Sequence, residues 1–396
     1  MTGNNDKIDE LLTRGVEEVF VKEHLKERLL GDEKLRVKFG IDPTGPAIHL
    51  GRAIPLRKLK AFQDLGHRVV LIIGDYTAKI ADPSDKLEKR PMLTDQEIQL
   101  NLKDYLTQIG KVIDLSKAEI HYNSEWFKEM GYVELGKLLE CFTVQQMLRR
   151  RNFKERMENG QDVFAVELMY PALQGYDSFK IEADVEIGGF DQLFNLQAGR
   201  TVQKRYGQKE QDIMTLSMLL GIDGRKMSSS WGNVISLLDP KEDMFGKIMA
   251  VRDDLIIDYF TLCTDMTLAE IEDIEEKLKS GANPKDVKIN LAKEIVRMYH
   301  GESEANEASQ NFQNTFGKGE FPEGAEILEV GKNEKLGDAL VENKVIDSKS
   351  EWRRLVEAGA VSDYPDKKIT DSNILVGENE IKLRIGKKTF LIVKPK

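Results

Sequence analysis

The segment Leu35–Pro46 has the sequence LRVKFGIDPTGP, and it is the clearest indication of the fold class. Its apolar first half predicts a strand over Leu35–Ile41, which ends at a dense turn signal of aspartate, prolines and glycine. Leu50–Asp64 follows with apolar residues at helical spacing, and Val69–Gly74 (VVLIIG) is a continuously apolar strand. Such a strand is typical of a parallel sheet covered on both faces. Together they form a βαβ unit, which predicts an α/β fold with a Rossmann-like, doubly wound parallel sheet.

The alternation of helices and strands continues beyond this unit. Further helices are predicted at Lys7–Leu30, Asp95–Ile109, Val133–Leu139, Val144–Arg156 and Gln192–Tyr206, and further strands at Ala118–Tyr122 and Val185–Gly189. The sequence from Lys241 to Asn314 is helical and charged, and Gly317–Gly324 has the composition of a linker. Two short helices (Leu336–Val345, Ser350–Ala358) and three strands (Ile374–Val376, Ile381–Ile385, Phe390–Val393) are predicted after it. We therefore predict a Rossmann-like domain over 1–232 with a helical insertion at about 110–165, an all-α domain over 233–318, a linker over 319–331 and a small α+β domain over 332–396.

Composition restricts the class of protein. The chain has 396 residues and a formal net charge of −10, which on its own argues against a nucleic-acid binder. Two cysteines, Cys141 and Cys263, form neither a disulfide framework nor a dedicated zinc site, so we expect a reducing compartment. Met1–Glu10 lacks the apolar core of a signal peptide, and no apolar run is long enough for a transmembrane helix. These features predict a cytoplasmic protein.

The first motif with chemical meaning is His49-Leu50-Gly51-Arg52, at the start of the predicted helix that follows the first turn. Free amides and the positive dipole end make a helix N-terminus a natural phosphate site. Gly51 allows a nucleotide to approach the backbone, and His49 offers a hydrogen-bond donor. A histidine in an ordinary turn is the alternative interpretation.

The second motif is Lys226-Met227-Ser228-Ser229-Ser230, which follows a glycine-arginine pair. A short hydroxyl-rich loop with one cation is suited to closing over a polyphosphate. An ordinary surface loop is the alternative.

A third pattern is polar. Tyr170, Gln174 and Asp177 fall at i, i+4 and i+7, and therefore on one face of a helix. Apolar neighbours predict that this face is partly buried, as in a binding pocket, rather than a solvated surface.

The first two motifs, in this order and separation, resemble the HIGH and KMSKS signatures of class I aminoacyl-tRNA synthetases. Other nucleotidyltransferases share the first signature. The polar helix face resembles the amino-acid pocket of the tyrosyl-tRNA synthetases, and the resemblance covers nearly the whole chain. It is closest to the bacterial branch with Lys-x-Gly before Asp-Pro-Thr. Two residues depart from the signatures: Arg52 stands at the second histidine of HIGH, and Ser229 at the second lysine of KMSKS.

The resemblance implies roles for individual residues. Asp177 accepts a hydrogen bond from the substrate phenol, Tyr170, Gln174 and Asp82 hold its ammonium group, and Gln192 contacts the tyrosine. Lys38 occupies a position where many relatives have a tyrosine that binds the substrate hydroxyl. Thr44, His49, Arg52 and Lys226 are the implied catalytic residues. The implied ATP-binding set consists of Gly40, Asp42, His49, Gly51, Arg52, Gly188, Gly189, Asp191, Lys226, Met227, Ser228, Ser229 and Ser230.

RNA contacts are implied in two regions, the small C-terminal domain and a basic patch at 149–151 in the insertion. Lys335–Leu340, Ser350–Leu355 and Gly359–Val361 resemble a small RNA-binding module that also occurs in a ribosomal protein of the small subunit. The expected RNA-binding residues are Arg149, Arg150, Arg151, Lys349, Arg353 and Arg354, and Lys367-Lys368 and Lys387-Lys388 add further cations. Lys332–Lys396 holds 14 basic and 11 acidic residues, so contact with RNA depends on local patches.

The family resemblance implies a tyrosine–tRNA ligase that uses ATP with Mg²⁺, binds tRNA(Tyr) and forms a homodimer through the insertion at about 110–165. The domain over 233–318 would lie on the anticodon side. Neither a tightly bound protein cofactor, a metal site nor a membrane is implied. Two alternatives remain at this point: a non-catalytic RNA-binding paralogue and a tryptophanyl-tRNA synthetase.

Overall fold

The computed structural model describes residues 2–80, 82, 92–315, 321–322, 325–365, 367–386 and 389–396. The chain divides into two compact units, Met1–Tyr299 and His300–Lys396. The predicted linker and the pair Lys387-Lys388 lie wholly or partly outside the described residues.

A six-stranded sheet forms the centre of the first unit. Its strands are β1 (Val16–Phe20), β2 (Arg36–Ile41), β3 (Arg68–Ile73), β4 (Ala118–Tyr122), β5 (Val185–Gly189) and β6 (Asp212–Leu216), in the order β1-β6-β5-β2-β3-β4. All pairs are parallel except β1 with β6. The chain runs from β2 outward to β4 and then returns to the other side of β2 at β5. The predicted doubly wound sheet is therefore confirmed, and its switch point lies between β2 and β5.

Helices cover the sheet and extend the first unit. They are α1 (Thr2–Leu11), α2 (Lys22–Leu30), α3 (Leu50–Asp64), α4 (Asp95–Leu102), α5 (Tyr105–Ile109), α6 (Ser124–Phe127), α7 (Tyr132–Leu139), α8 (Val144–Leu148), α9 (Arg151–Glu158), α10 (Tyr170–Lys180), α11 (Leu193–Arg205), α12 (Lys241–Met249), α13 (Ile256–Cys263), α14 (Leu268–Lys279) and α15 (Pro284–His300). The helix predicted at Leu50–Asp64 and the strands predicted at Ala118–Tyr122 and Val185–Gly189 have the predicted bounds. Val69–Ile73, the apolar centre of the first βαβ unit, is at most 1% exposed, as expected for a strand covered on both faces.

The single helix predicted over Lys7–Leu30 is wrong. Gly15 adopts a φ of +61°, and the chain then forms β1, which pairs antiparallel with β6. A second turn at Val21, with a φ of 59°, leads into α2. The apolar residues of this segment fit a helical period, but pairing with a distant strand overrides that local preference.

Two other predicted helices are interrupted. Asp95–Ile109 divides into α4 and α5, and Val144–Arg156 divides into α8 and α9. The second break occurs at Arg150, whose ψ of 134° is extended rather than helical. At this break the side chain of Arg150 is buried, whereas those of Arg149 and Arg151 are exposed.

The second unit begins with α16 (Glu302–Gln313). After it, α17 (Leu336–Glu342) and α18 (Lys349–Glu357) pack with β7 (Glu326–Val330), β8 (Val361–Asp363), β9 (Lys367–Lys368), β10 (Ile381–Ile385) and β11 (Thr389–Pro395). Trp352 is 2% exposed in the core of this unit, and its indole donates to the carbonyl of Ser372. The strand predicted at Ile374–Val376 is only a single bridge, between Lys335 and Leu375.

Among the described residues, no helix combines the length and the hydropathy needed to cross a bilayer.

Candidate active site

A cavity of about 420 Å³ opens at the carboxyl ends of β2 and β5, at the switch point of the sheet. This volume lies within the usual range of small-molecule sites, and the position is the one where open α/β sheets bind ligands. The predicted site residues that line it are Gly40, Asp42, Thr44, His49, Gly51, Arg52, Asp82, Tyr170, Gln174, Asp177, Gly188, Gly189, Asp191, Gln192, Lys226, Met227, Ser228 and Ser229. The side chain of Ser230 lies outside the described part of the structure.

His49 is the N-cap of α3. Its Nδ1 accepts a hydrogen bond from the amide of Arg52 at 3.3 Å, which leaves Nε2 as the position of the proton in a neutral ring. Burial, together with the charges of Arg52 and Lys226, lowers the pKa of His49 to about 3. The imidazole is therefore neutral at pH 7 and offers one N–H donor, in agreement with the donor role expected from the sequence.

The first turn of α3 does not offer free backbone amides, contrary to expectation. The amide of Leu50 donates to the carbonyl of Ile235 at 2.9 Å, and that of Gly51 points at the sulfur of Met227 at 3.4 Å. The amide of Arg52 is bonded to His49. Polar groups that this turn presents to the cavity are consequently side chains, those of His49 and Arg52.

Arg52 is one of these side chains. Its Nη2 donates to the hydroxyl of Thr44 at 2.6 Å, and its Nη1 to the hydroxyl of Tyr105 at 3.2 Å. Because Thr44 accepts from the guanidinium, its own proton remains available for a ligand oxygen.

The loop after β6 brings Lys226 to the cavity. Its Nζ forms an ion pair of 2.7 Å with Asp191, two residues after the end of β5. Asn233 fixes the base of the loop, because it accepts from the amide of Ser228 at 2.9 Å and donates to Asp223 at 2.7 Å. Lys226 thus lines the cavity beside a carboxylate.

Asp42 is held at the end of β2 by two hydroxyl groups. Thr77 donates to its Oδ1 at 2.8 Å and Tyr170 to its Oδ2 at 2.9 Å. Residue 74 must be a glycine here, because a Cβ would collide with the Asp42 carboxylate and the Thr77 hydroxyl. Burial and the neighbouring carboxylates raise the pKa of Tyr170 well above its ordinary value, so the phenol stays protonated.

Asp177 lies deep in the cavity and is 4% exposed. The indole of Trp126 donates to its Oδ1 at 2.9 Å and the amide of Asn123 to its Oδ2 at 3.3 Å. Burial raises the pKa of Asp177 to about 7, although the charge of Lys38 and both hydrogen bonds oppose the rise. A carboxylate that is oriented from two sides and poorly hydrated is well suited to accept a hydrogen bond from a ligand.

Asp82 is a further polar residue that lines the cavity. Gln192 donates to it at 2.7 Å, and the guanidinium of Arg150 lies 3.8 Å away. Arg150 is 7% exposed and its guanidinium lies over the rings of Phe153 and Phe194, at 5.0 and 5.3 Å. The predicted RNA-binding role of Arg150 is therefore wrong, because the break between α8 and α9 turns it inward.

Lys38 does not line the cavity. It is 0% exposed and forms an ion pair of 2.9 Å with Glu186, which is also buried. It further donates to the carbonyl of Gln174 at 2.9 Å, and Gln174 itself donates to Glu186 at 3.0 Å. The predicted contact between Lys38 and a tyrosine substrate is thus corrected: Lys38 supports the helix that carries the pocket residues.

The remaining predicted RNA-binding residues are exposed. In the first unit these are Arg149 and Arg151, of which the latter pairs with Glu155 at 2.9 Å. On α18 of the second unit, Arg353 and Arg354 are exposed, and Lys349 pairs with Asp338 at 2.9 Å.

Three residues of the site escaped the sequence analysis. Asn123 and Trp126 orient Asp177, and Thr77 holds Asp42. Asn123 directly follows β4, and the rule that ligand sites lie at the carboxyl ends of parallel strands could have indicated it. Trp126 carries no such signal, because its role depends on the contact between α6 and α10.

Comparison with known proteins agrees with the geometry. Residues 31–317 match the family described as tRNA synthetases class I (W and Y). The chain is 45% identical to the tyrosine–tRNA ligase of Thermotoga maritima over 96% of this chain and 95% of the relative. It is 43% identical to tyrosine–tRNA ligase 2 of Clostridium acetobutylicum over 98% of both chains. Among solved structures, the tyrosyl-tRNA synthetase of Archaeoglobus fulgidus in complex with L-tyrosine aligns with a TM-score of 0.61 at 26% identity, over 77% of this chain and 99% of that chain.

Proposed function

Because the chain belongs to the family of class I tRNA synthetases for tryptophan and tyrosine, we propose that it is a tyrosine–tRNA ligase. It activates L-tyrosine with ATP and transfers the tyrosyl group to tRNA(Tyr). The observation that carries the choice of amino acid is Asp177, a buried carboxylate fixed by Trp126 and Asn123 at the end of the cavity. A phenol satisfies this acceptor, whereas phenylalanine would leave it unpaired.

The first step joins tyrosine to ATP. The tyrosine carboxylate attacks the α-phosphate, and pyrophosphate leaves. No side chain acts as a nucleophile, because positioning and charge stabilisation are sufficient for such a transfer. Thr44, neutral His49, Arg52 and Lys226 surround the place for the polyphosphate. Tyr170, Gln174 and Asp82 hold the substrate ammonium group, and Gln192 contacts the amino acid.

Magnesium enters as part of the Mg–ATP substrate. Among the described residues, no group of three or more histidine, cysteine or acidic side chains could hold a metal ion. Mg²⁺ is commonly held by substrate phosphates with few protein ligands, so the residues present are compatible with this route.

In the second step a terminal ribose hydroxyl of tRNA attacks the carbonyl of the adenylate, and AMP leaves. Exposed cations on α18 support RNA binding by the second unit. Tyr132, Val133 and Val144 are 88%, 56% and 59% exposed within the predicted insertion, which supports a homodimer through this surface. Since ATP and tRNA are its substrates, we place the enzyme in the cytoplasm.

Aminoacylation of tRNA with radiolabelled tyrosine tests the proposal. The wild-type protein should charge tRNA(Tyr), and Asp177→Ala should lose the activity. A wild-type protein that binds tRNA but charges it with no amino acid would instead be the non-catalytic paralogue.

A further inference from the structure

The polyphosphate side of the cavity depends on side-chain charge. The amides of the first turn of α3 are bonded to Ile235, Met227 and His49, so they are not available to an anion. His49 is uncharged at neutral pH. Among the described residues that line the cavity, Arg52 and Lys226 carry the positive charge.

These two cations differ in their surroundings. Lys226 is paired with the carboxylate of Asp191 at 2.7 Å. Arg52 is half-buried, and its side chain donates to two neutral hydroxyls, those of Thr44 and Tyr105. No carboxylate among the described residues forms an ion pair with it. A partly desolvated cation without a counter-charge favours an anionic ligand, and arginine has further N–H donors to offer.

The two cations also differ in attachment. Arg52 belongs to the first turn of α3, a helix of 15 residues with a buried inner face, and two hydroxyls fix its guanidinium. Lys226 belongs to a loop, as does Ser229, which lines the cavity at the position where the family signature has a second lysine. Compared with the two family signatures, the chain therefore has one cation fewer on the loop, at Ser229, and one fixed cation more on the helix, at Arg52.

We propose that Arg52 supplies from α3 the positive charge on the ATP polyphosphate that the loop lacks at Ser229. Residues 52 and 229 are then a compensating pair, and one phosphate-binding cation is in place before the loop closes. The inference rests on the proposed function and makes Arg52 a fixed catalytic residue that touches the phosphates.

A double-mutant cycle tests this compensation. Wild type, Arg52→His, Ser229→Lys and the double variant are compared in tyrosine-dependent ATP–pyrophosphate exchange, and calorimetry measures the affinity of each for inorganic pyrophosphate. Arg52→His should lower the exchange rate about 100-fold, since it removes a charge that acts on the transition state. The KM for tyrosine should remain within about twofold, because the cation lies at the phosphate end.

The coupling between residues 52 and 229 in this cycle shows whether they compensate for each other. Ser229→Lys should raise the exchange rate at least about tenfold more in the Arg52→His background than in the wild type. Equal effects of Ser229→Lys in both backgrounds, or an unchanged rate and pyrophosphate affinity in Arg52→His, would overturn the inference. Lys60→Ala, which removes an exposed cation from the same helix, is the matched control, and thermal unfolding checks that each variant is folded.

Wild-type exchange separates the two proposals. If the wild type shows no exchange with tyrosine, the proposed function fails. The pyrophosphate affinities of the four proteins still test the compensation in that case, because they require no turnover.

Discussion

Tyrosine binding should depend on the ionisation of Asp177. Burial raises the pKa of this carboxyl to about 7, so at pH 8 it is about 90% ionised and at pH 6 about 10%. The ionised carboxylate accepts the stronger hydrogen bond from the substrate phenol. Lowering the pH from 8 to 6 should therefore weaken tyrosine binding about tenfold. His49 does not contribute to this change, because its pKa lies near 3.

Replacing Trp126 should shift the pH midpoint of tyrosine binding. Trp126→Phe removes the indole hydrogen bond to Asp177 and keeps an aromatic ring. A hydrogen bond to a charged group contributes about 1.5–3 kcal/mol, so the pKa should rise by about one to two units and the pH midpoint of tyrosine binding with it. Trp231→Phe is the matched control, since Trp231 is half-exposed on the loop and should leave the midpoint unchanged.

Isothermal titration calorimetry provides the assay. Tyrosine is titrated between pH 6 and 9 in buffers with different heats of ionisation, which counts the protons released on binding. We expect the wild type to release close to one proton at pH 6 and almost none at pH 8. Equal affinities at pH 6 and 8 without proton release would refute the reasoning about Asp177.

Three further predictions concern charge and packing. Arg150→Met should raise the KM for tyrosine about tenfold and leave the KM for tRNA unchanged. Arg149→Met, at an exposed position, should raise the KM for tRNA and leave the KM for tyrosine unchanged. Steady-state charging kinetics measures both constants, and the opposite pattern would contradict the prediction. Lys38→Met leaves the buried carboxylate of Glu186 unpaired and should lower the free energy of unfolding in urea by about 3–5 kcal/mol, a loss below about 1 kcal/mol being inconsistent with the buried pair. Trp352→Ala should destabilise the second unit by about 3–5 kcal/mol and lower tRNA charging but not ATP–pyrophosphate exchange; an equal fall in both activities would contradict the division into units.

The sequence predicted those parts of the fold that local patterns determine. The βαβ unit over Leu35–Gly74 and the strands β4 and β5 carry their apolar periodicity and turn residues within short windows. β1 was missed because its partner β6 is about 200 residues away, and the apolar spacing of Val16–Phe20 fits a helix equally well.

The sequence indicated most of the residues that line the site, but fewer of the contacts that these residues make. Most expected residues line the cavity, because the positions after β2 and β5 and at the start of α3 follow from the topology. Arg150 and Lys38 were assigned to ligands because the sequence shows a charge but not the direction of its side chain. A break in the backbone turns Arg150 inward, and burial beside Glu186 pairs Lys38. Both outcomes are set by tertiary packing.

Tyrosine-dependent ATP–pyrophosphate exchange measures which amino acid the protein activates. The wild-type protein, incubated with ATP and labelled pyrophosphate, should form labelled ATP with tyrosine and not with tryptophan or phenylalanine. Asp177→Ala, checked for folding, should abolish the exchange. Exchange that is absent with tyrosine, or that proceeds equally well with tryptophan, would contradict the assignment of Asp177 as the acceptor of a substrate phenol.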